Sequence, residues 1–238
     1  MPLAGNDPHG NDSDDWSGIE PAPLFKGVSP DDFKRISAAA RLKRLAHGAM
    51  LYSEGETVEH VLMLISGSVK ITQLGPRGTE VILRLSAPGD VLDAGGLCSN
   101  GRHCTTAQAI RECRALVWDA GIFKDLVGHL PVLHQNMTRL ICGQLLELEE
   151  RFRELATEKV APRVARQLIR LQEQVGSPPK AGVEIGLSGE GLAQMTGTTE
   201  YTVSRLLSSW EAHGLVTCRR DSLVISDIRA LRKVIEED

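Results

Sequence analysis

The chain has 238 residues, 42% of them hydrophobic, and carries 27 Lys and Arg against 31 Asp and Glu, for a formal net charge of −4. Its length suits one large or two modest globular domains. We expect neither export nor a membrane span, because the sequence has no signal peptide and no apolar run of about 20 residues. Five cysteines without a paired framework fit a reducing cytoplasm.

The first 22 residues are predicted to form a disordered acidic arm. Five acidic residues and no Lys or Arg lie within the first twenty positions, which are also rich in Gly, Asn and Ser. This composition is typical of disordered segments. Taking these five negative charges from the total of −4 leaves +1 for the rest of the chain. The overall negative charge therefore does not argue against a nucleic-acid partner, since local patches decide binding.

Residues 23–128 are predicted to form a helix followed by a β-roll. Ser29 is a plausible N-cap and Pro30 suits the first helical position, so a helix is expected from Ser29 to Ala40. From Leu42 to Trp118, β-prone runs such as HVLMLI, SVKIT, EVILRL and ALVW alternate with glycines. Evenly spaced short strands and glycine turns predict an antiparallel β-roll or barrel.

A long helix is predicted next, from about Pro131 to Leu155. One apolar stripe steps by four and three residues, as in a heptad seam, and consists of Ile141, Leu145, Leu148, Phe152 and Leu155. A second stripe begins at Leu133 and Met137. If one stripe packs on the β-roll and the other on the same helix of a partner chain, residues 129–157 form a dimerisation helix. The alternative is that both stripes face the core of a single chain.

Residues 158–238 are predicted to form a separate unit. A hinge is expected at residues 157–159, because Pro162 does not accept a helix running through from before, and a new helix is expected from Ala161 to Gln174. Short helices follow, and two β-prone runs flanking Arg219 and Arg220 predict a β-hairpin with a basic tip.

The spacing of three residues in this unit predicts a helix-turn-helix. Ala193 is small where two helices would nearly touch, Gly197 suits a turn with positive φ, and Val203 would lock the helix angle. Ser188 is a candidate cap for the first helix, and Thr198 or Thr199 for the second. An ordinary helical hairpin with a glycine turn is the alternative.

The second helix of this pair is predicted to be a recognition helix. Its start is rich in hydroxyl groups, which suits phosphate and base contacts, and the region from Glu158 to Ile235 holds 11 basic and 8 acidic residues. The hairpin would act as a wing that touches backbone phosphate. The predicted DNA-binding residues are Thr198, Thr199, Glu200, Tyr201, Ser204, Arg205, Arg219 and Arg220.

Together these features resemble the Crp/Fnr family of bacterial transcription regulators, over residues 24–235. The resemblance is carried by YSEGE, GSVKI, GTEVILRL and PGDVL in the roll, by the long helix, and by GTTEYTVSRLL. It implies an α+β fold with an N-terminal cyclic-nucleotide-binding-like β-roll and a C-terminal winged helix-turn-helix. It also implies a non-enzymatic homodimer that binds an effector in the roll and docks on near-palindromic double-stranded DNA, with RNA polymerase as a partner.

The residues at the effector positions depart from the family pattern. Cyclic-nucleotide binders carry a Gly-Glu pair and an Arg-Ser/Thr-Ala triplet, whereas the matching positions here are Asp93-Ala and Thr105-Thr106-Ala. Since a buried phosphate without an arginine partner is poorly stabilised, cyclic AMP is not the expected effector. Arg102, three residues earlier, would substitute if its loop folded over.

Cysteine and histidine positions indicate another kind of effector. Oxygen-sensing relatives hold an iron–sulfur cluster near the N-terminus, and no such cluster is expected here because the first cysteine is Cys98. Cys98, His103 and Cys104 lie near the axial-ligand positions of haem-bearing relatives. We therefore rank haem, with His103 or Cys104 as ligand, before a thiol switch and a cyclic nucleotide. The alternative is that both cysteines are buried structural residues and His103 a loop residue. The predicted pocket comprises Asp93, Arg102, His103, Cys104, Thr105 and Thr106.

The recognition helix departs from the family pattern as well. The family's base-reading glutamate falls at Tyr201, with Glu200 one residue early, while Ser204 and Arg205 match the oxygen-regulator branch. Arg205 is a candidate for bidentate contact with guanine. Two other classes stay open: a haem or thiol redox protein that uses the roll as its pocket, and an effector-binding adaptor without DNA binding.

Overall fold

The computed structural model describes residues 22–76, 78–92, 94–98, 100–175, 183–219 and 222–236. The fold is α+β, as predicted: an antiparallel β-roll, a long helix and a C-terminal unit of helices with a small sheet. The predicted acidic arm up to residue 21, Asp93 and Arg220 lie outside the described residues. No helix within the described ranges is both long and apolar enough to cross a membrane.

In the described part of the roll there are eight strands, and the runs predicted from alternation are among them. In chain order they are β1 Arg41–Leu45, β2 Met50–Tyr52, β3 His60–Ser66, β4 Val69–Leu74, β5 Glu80–Ser86, β6 Val91–Leu92, β7 Thr106–Ala109 and β8 Cys113–Asp119. They form two antiparallel sheets, in the orders β1-β8-β3-β6 and β2-β7-β4-β5. Buried aliphatic side chains of both sheets pack together inside the roll.

One glycine of the roll is required by close packing. Gly67 has a φ of 90°, and a Cβ placed there would lie 2.4 Å from the carbonyl oxygen of Glu112. Any other residue would clash with that backbone, so the turn between β3 and β4 depends on glycine.

Among the described residues of the N-terminal part, four α-helices follow a short 3-10 helix at Pro23–Phe25. They are α1 Pro30–Ala38, α2 Ala94–Cys98, α3 Ala120–His129 and α4 Pro131–Thr157. Ser29 caps α1 as predicted, its side chain accepting from Asp32 N. This helix ends two residues before the predicted Ala40, because the chain enters β1 at Arg41. Neither α2 nor α3 was predicted from the sequence.

The first half of α4 is fixed to the roll. Leu133 and Met137, from the second predicted stripe, are buried in a core with Trp118 and Phe123. Asn136 is also buried, and its Nδ2 donates to the carbonyl oxygens of Leu24 and Lys26. This stripe therefore covers the β-roll.

The C-terminal unit contains the predicted hairpin together with two elements that were not predicted. Its elements are α5 Val160–Val175, β9 Val183–Ile185, α6 Gly189–Thr196, α7 Glu200–Ala212, β10 Val216–Cys218, β11 Leu223–Ile225 and α8 Ile228–Glu236. β9 extends the hairpin to a three-stranded sheet of order β10-β11-β9, and α8 packs on α5.

The break between α4 and α5 lies within the predicted hinge. Glu158, which follows the last residue of α4, has extended backbone with φ −105° and ψ 150°, and α5 begins at Val160. Only two residues therefore connect the long helix to the C-terminal unit.

Candidate DNA-binding and effector sites

The helix-turn-helix has the predicted geometry. Ala193 and Val203 are buried, and Gly197 ends α6 in the left-handed conformation with φ 61° and ψ 41°. A Cβ at Gly197 would lie 2.8 Å from a methyl group of Leu155, which reaches the turn from α4. The turn therefore needs glycine for both its φ and its contact with the long helix.

Both helices of the motif are capped by side chains. The Ser188 hydroxyl accepts from Gly191 N at 3.1 Å, and the Thr199 hydroxyl accepts from Thr202 N at 3.2 Å. Of the two predicted caps for α7, the structure uses Thr199, while Thr198 is half-buried and donates its backbone N–H to the carbonyl oxygen of Ala193 in α6 at 3.2 Å. These caps fix the start of α7.

One face of α7 is exposed and polar. Tyr201, Ser204 and Arg205 all face solvent, whereas Val203 and Trp210 on the opposite face are buried. The Arg205 guanidinium carbon lies 5.8 Å from the centre of the Tyr201 ring, within the range of a cation–π contact. Glu200, in the first turn, is exposed as well, and its charge suits the positive end of the helix.

Arg219, in the hairpin connection, is exposed and paired. Its guanidinium lies 3.1 Å from the carboxylate of Glu184 on β9, and Ser222 Oγ donates to the same oxygen at 2.6 Å. The hydrogen bond from Ser222 and the charge of Arg219 lower the pKa of Glu184. The wing arginine thus has an acidic neighbour that the sequence did not reveal.

The structure disperses the predicted effector residues. Arg102 turns back to donate to Gly55 O at 2.8 Å, and Thr106 Oγ1 accepts from Glu54 N. Cys104 is exposed. Neither Arg102, His103 nor Thr106 is among the residues that line a cavity beside this loop. The bond of Arg102 to Gly55 O is not the position over the pocket that would let it substitute for the family's arginine.

That cavity has a volume of about 220 Å³ and lies between the roll and α4. Of the predicted pocket, Cys104 and Thr105 line it. The other lining residues are Ile71, Leu83, Arg84, Gly95, Gln144, Glu147, Leu148 and Arg151. A second cavity of about 300 Å³ lies where β5, α4, α5 and α6 meet.

These surroundings do not fit haem. The buried His103 ring stacks on Tyr52, with 4.0 Å between ring centres and 6° between planes. The 220 Å³ cavity is smaller than the roughly 300–1,000 Å³ of pockets for drug-sized ligands.

The second half of α4 presents the predicted seam to solvent. Leu145, Leu148, Phe152 and Leu155 are 53%, 52%, 71% and 50% exposed. Ile141 differs, because it is half-buried against the core that α4 shares with the roll. An apolar stripe this exposed on one chain is an unsatisfied packing surface.

Charged side chains join α4 to the C-terminal unit. Glu154 is 1% exposed and forms a bidentate pair with Arg170 of α5, at 2.7 and 2.6 Å. Arg163 of α5 donates to the carbonyl oxygen of Glu158, the residue that follows α4, at 3.2 Å. Arg151 donates to Leu83 O on β5 and to the carbonyl of the C-terminal unit's Met195 at 3.1 Å.

Sequence reasoning missed the charged residues of the cavity. Arg84 interrupts the apolar run EVILRL. A cation inside a predicted strand was the one signal in the sequence that could have pointed to this cavity. Glu147 and Arg151 lie in a helix rich in both charges, where no local pattern distinguishes them from solvated residues.

Comparison with known proteins agrees with this architecture. Residues 42–129 match the model of the cyclic nucleotide-binding domain, and residues 162–234 match the Crp-like helix-turn-helix domain. The chain is 25% identical, over 214 residues, to the CRP-like cAMP-activated global transcriptional regulator of Mycobacterium tuberculosis, covering 89% of this chain and 96% of that one. It is also 25% identical, over 234 residues, to the nitrogen fixation regulation protein FixK of Azorhizobium caulinodans, covering 95% and 91%.

Solved structures share the fold. The c-di-GMP responsive global regulator CLP of Xanthomonas campestris superposes with a TM-score of 0.72 at 19% identity, covering 84% of this chain and all of that one. FixK2 of Bradyrhizobium japonicum gives 0.71 at 22% identity, covering 82% and 96%. With its β-roll, long helix and helix-turn-helix in this order, the chain belongs to the Crp/Fnr family of transcription regulators.

Proposed function

We propose that the protein is a homodimeric, sequence-specific DNA-binding regulator whose β-roll senses a small effector. The observation that carries the proposal is the exposed face of α7, where Tyr201, Ser204 and Arg205 project from a helix that is capped at its start and buried on its other side. A helix presented in this way suits the major groove of B-DNA.

Arg205 is the proposed base-reading residue. Its guanidinium lies over the Tyr201 ring, which restricts its orientation, and an arginine held in this way suits bidentate contact with guanine O6 and N7. Thr198 and Thr199, at the start of α7, are proposed to contact phosphate. Glu200, in the first turn of α7, is proposed to accept a hydrogen bond from a cytosine amine.

The wing is proposed to contact backbone phosphate through Arg219. Arg219 and Glu184 are paired in the free protein. A DNA phosphate must therefore compete with the Glu184 carboxylate for the Arg219 guanidinium. Arg220 is proposed for the same role from its sequence position alone. These contacts would add affinity without reading sequence.

The exposed seam supports a homodimer. Two copies of the stripe that contains Leu145, Leu148 and Phe152 would bury apolar surface that is exposed on one chain, and their spacing by three and four residues suits paired helices. A two-fold axis between them would give two recognition helices, and hence a near-palindromic DNA site.

Effector gating is proposed to act through the hinge at Glu158. The ligand would enter the cavity lined by Cys104 and Thr105 and favour one arrangement of the DNA-binding units over another. One similar protein is described as cAMP-activated and another as c-di-GMP responsive, so effectors differ among proteins of this fold. We also propose RNA polymerase as a partner and the cytoplasm as the location.

Selection of a binding site from random DNA, followed by anisotropy titrations, tests the proposal. Arg205→Ala should cost about 1–3 kcal/mol per half-site and relax the preference at one G·C pair. Arg219→Ala should instead weaken binding to all DNA sequences alike and reduce the salt slope by about one per half-site. Uniform weakening by Arg205→Ala would contradict the assigned role, and the absence of salt-dependent DNA binding would favour an effector-binding adaptor.

A further inference from the structure

Arg84 is a half-buried cation of the roll that the proposed DNA-binding role does not use. Within the part of the chain that the structure describes, its guanidinium makes no hydrogen bond or ion pair, and it lines the 220 Å³ cavity. The pairing of β4 with β5 shifts register here, so that Leu83 is an extra residue between Ile82 and Arg84. Such a bulge redirects neighbouring side chains, and Leu83 and Arg84 both line the cavity.

A second guanidinium reaches the same cavity from α4. Arg151 lines it while donating one N–H to Leu83 O and another to Met195 O. Burial lowers the pKa of Arg151, consistent with a guanidinium whose charge is incompletely compensated by carbonyl oxygens. One side chain therefore touches the cavity, the roll and the DNA-binding unit at once.

The charge and size of the cavity restrict what it accepts. Of its described lining residues, Glu147 alone is a carboxylate, against Arg84 and Arg151. Asp90 is close enough for its pKa to respond to Arg84, but its carboxylate accepts from Ala87 N and does not line the cavity. A volume of 220 Å³ corresponds to roughly seven waters, below the range for drug-sized ligands.

We propose that this cavity binds a small anion, a carboxylate or a phosphate, between Arg84 and Arg151, and that the anion draws Arg151 away from Met195. Charge-assisted hydrogen bonds to two guanidinium groups would hold the anion. Because the bond from Arg151 to Met195 O joins α4 to the DNA-binding unit, binding would loosen that contact. The inference rests on the proposed gating by the roll, and it names both the ligand class and the residue that transmits the signal.

Calorimetric titration of the full chain with sodium phosphate and with sodium malonate, against sodium chloride at matched ionic strength, tests the site. We expect millimolar or tighter binding of at least one anion, and the better probe distinguishes a phosphate ligand from a carboxylate. Arg84→Gln should weaken binding about tenfold or more, whereas Glu147→Gln should tighten it by removing a repelling charge. Arg35→Gln, which removes an exposed arginine on α1, is the matched control and should change nothing.

Binding of neither anion, or equal binding to wild type and Arg84→Gln, would overturn the proposal. Should Arg84→Gln not fold, unchanged anion affinity of Glu147→Gln would also overturn it. Amide hydrogen exchange tests the transmission: the bound anion should speed exchange in residues 189–197, and no change on saturation would refute the role of Arg151. Measuring the DNA affinity of the wild type in chloride alone tests the regulator function separately. A protein that binds the anion but does not bind DNA would contradict the proposed regulator function and still support the anion site.

Discussion

Leu148→Asp is expected to convert the protein from a dimer to a monomer. Burying a whole leucine side chain stabilises by about 1.5–3 kcal/mol, and 52% of Leu148 is exposed on the single chain. Covering that half contributes about 1 kcal/mol per protomer, or about 2 kcal/mol per dimer. Two carboxylates buried in its place without partners would add a penalty of about 3 kcal/mol or more.

The expected total of about 5 kcal/mol raises the dissociation constant more than about 10³-fold. Sedimentation equilibrium over a dilution series measures this directly. Leu146→Asp is the matched control, because Leu146 is 65% exposed on the same helix but lies outside the seam spacing, so it should leave the dimer intact. A Leu148→Asp variant that dimerises as tightly as wild type would refute the seam.

Three further variants test contacts described above. Glu154→Ala should lower the free energy of unfolding by about 3–5 kcal/mol in urea titrations, since it leaves Arg170 without its buried partner. Glu150→Ala, which breaks an exposed pair, is the control and should lower the free energy of unfolding far less. Burial raises the pKa of Asp90 above 3.8, so its protonation favours the folded state at low pH and that contribution is lost as pH rises through the raised pKa. Asp90→Asn should therefore gain stability relative to wild type as the pH rises above the ordinary pKa of an aspartate and through the raised pKa of Asp90, and a stability difference that does not change with pH would contradict this. Glu184→Gln should raise affinity for all DNA sequences by releasing the wing arginine, an expectation that unchanged anisotropy titrations would exclude.

The roll strands and the helix-turn-helix were predictable because their signals are local. Alternating apolar residues and glycine turns mark strands of the roll, and the caps at Ser29, Ser188 and Thr199 lie next to the helices they start. Gly197 is required by its own φ, which a spacing rule can anticipate. Such features depend on a few consecutive residues and so can be read from one sequence.

The cavity could not be predicted in the same way, because distant segments form it. Arg84 faces it as a consequence of a register shift between two strands, and Arg151 belongs to a helix about seventy residues later. The loop that provided the predicted pocket instead folds onto the chain near Gly55 and Tyr52. Which charged groups line the cavity depends on how the strands pair and on where α4 packs against the roll.

The attachment of α4 to the roll has a consequence for the choice of DNA site. The helix is anchored in the roll core at Met137 and ends at Thr157, so the segment beyond Met137 is a lever of about 30 Å at 1.5 Å per residue, which the bond from Arg151 to Leu83 O also ties to the roll. A tilt of only about 6–7° about the fixed end would move the far end by about 3.4 Å, the rise of one base pair. In a dimer built on these helices, a change of a few degrees at the seam would shift which operator spacing the two recognition helices fit.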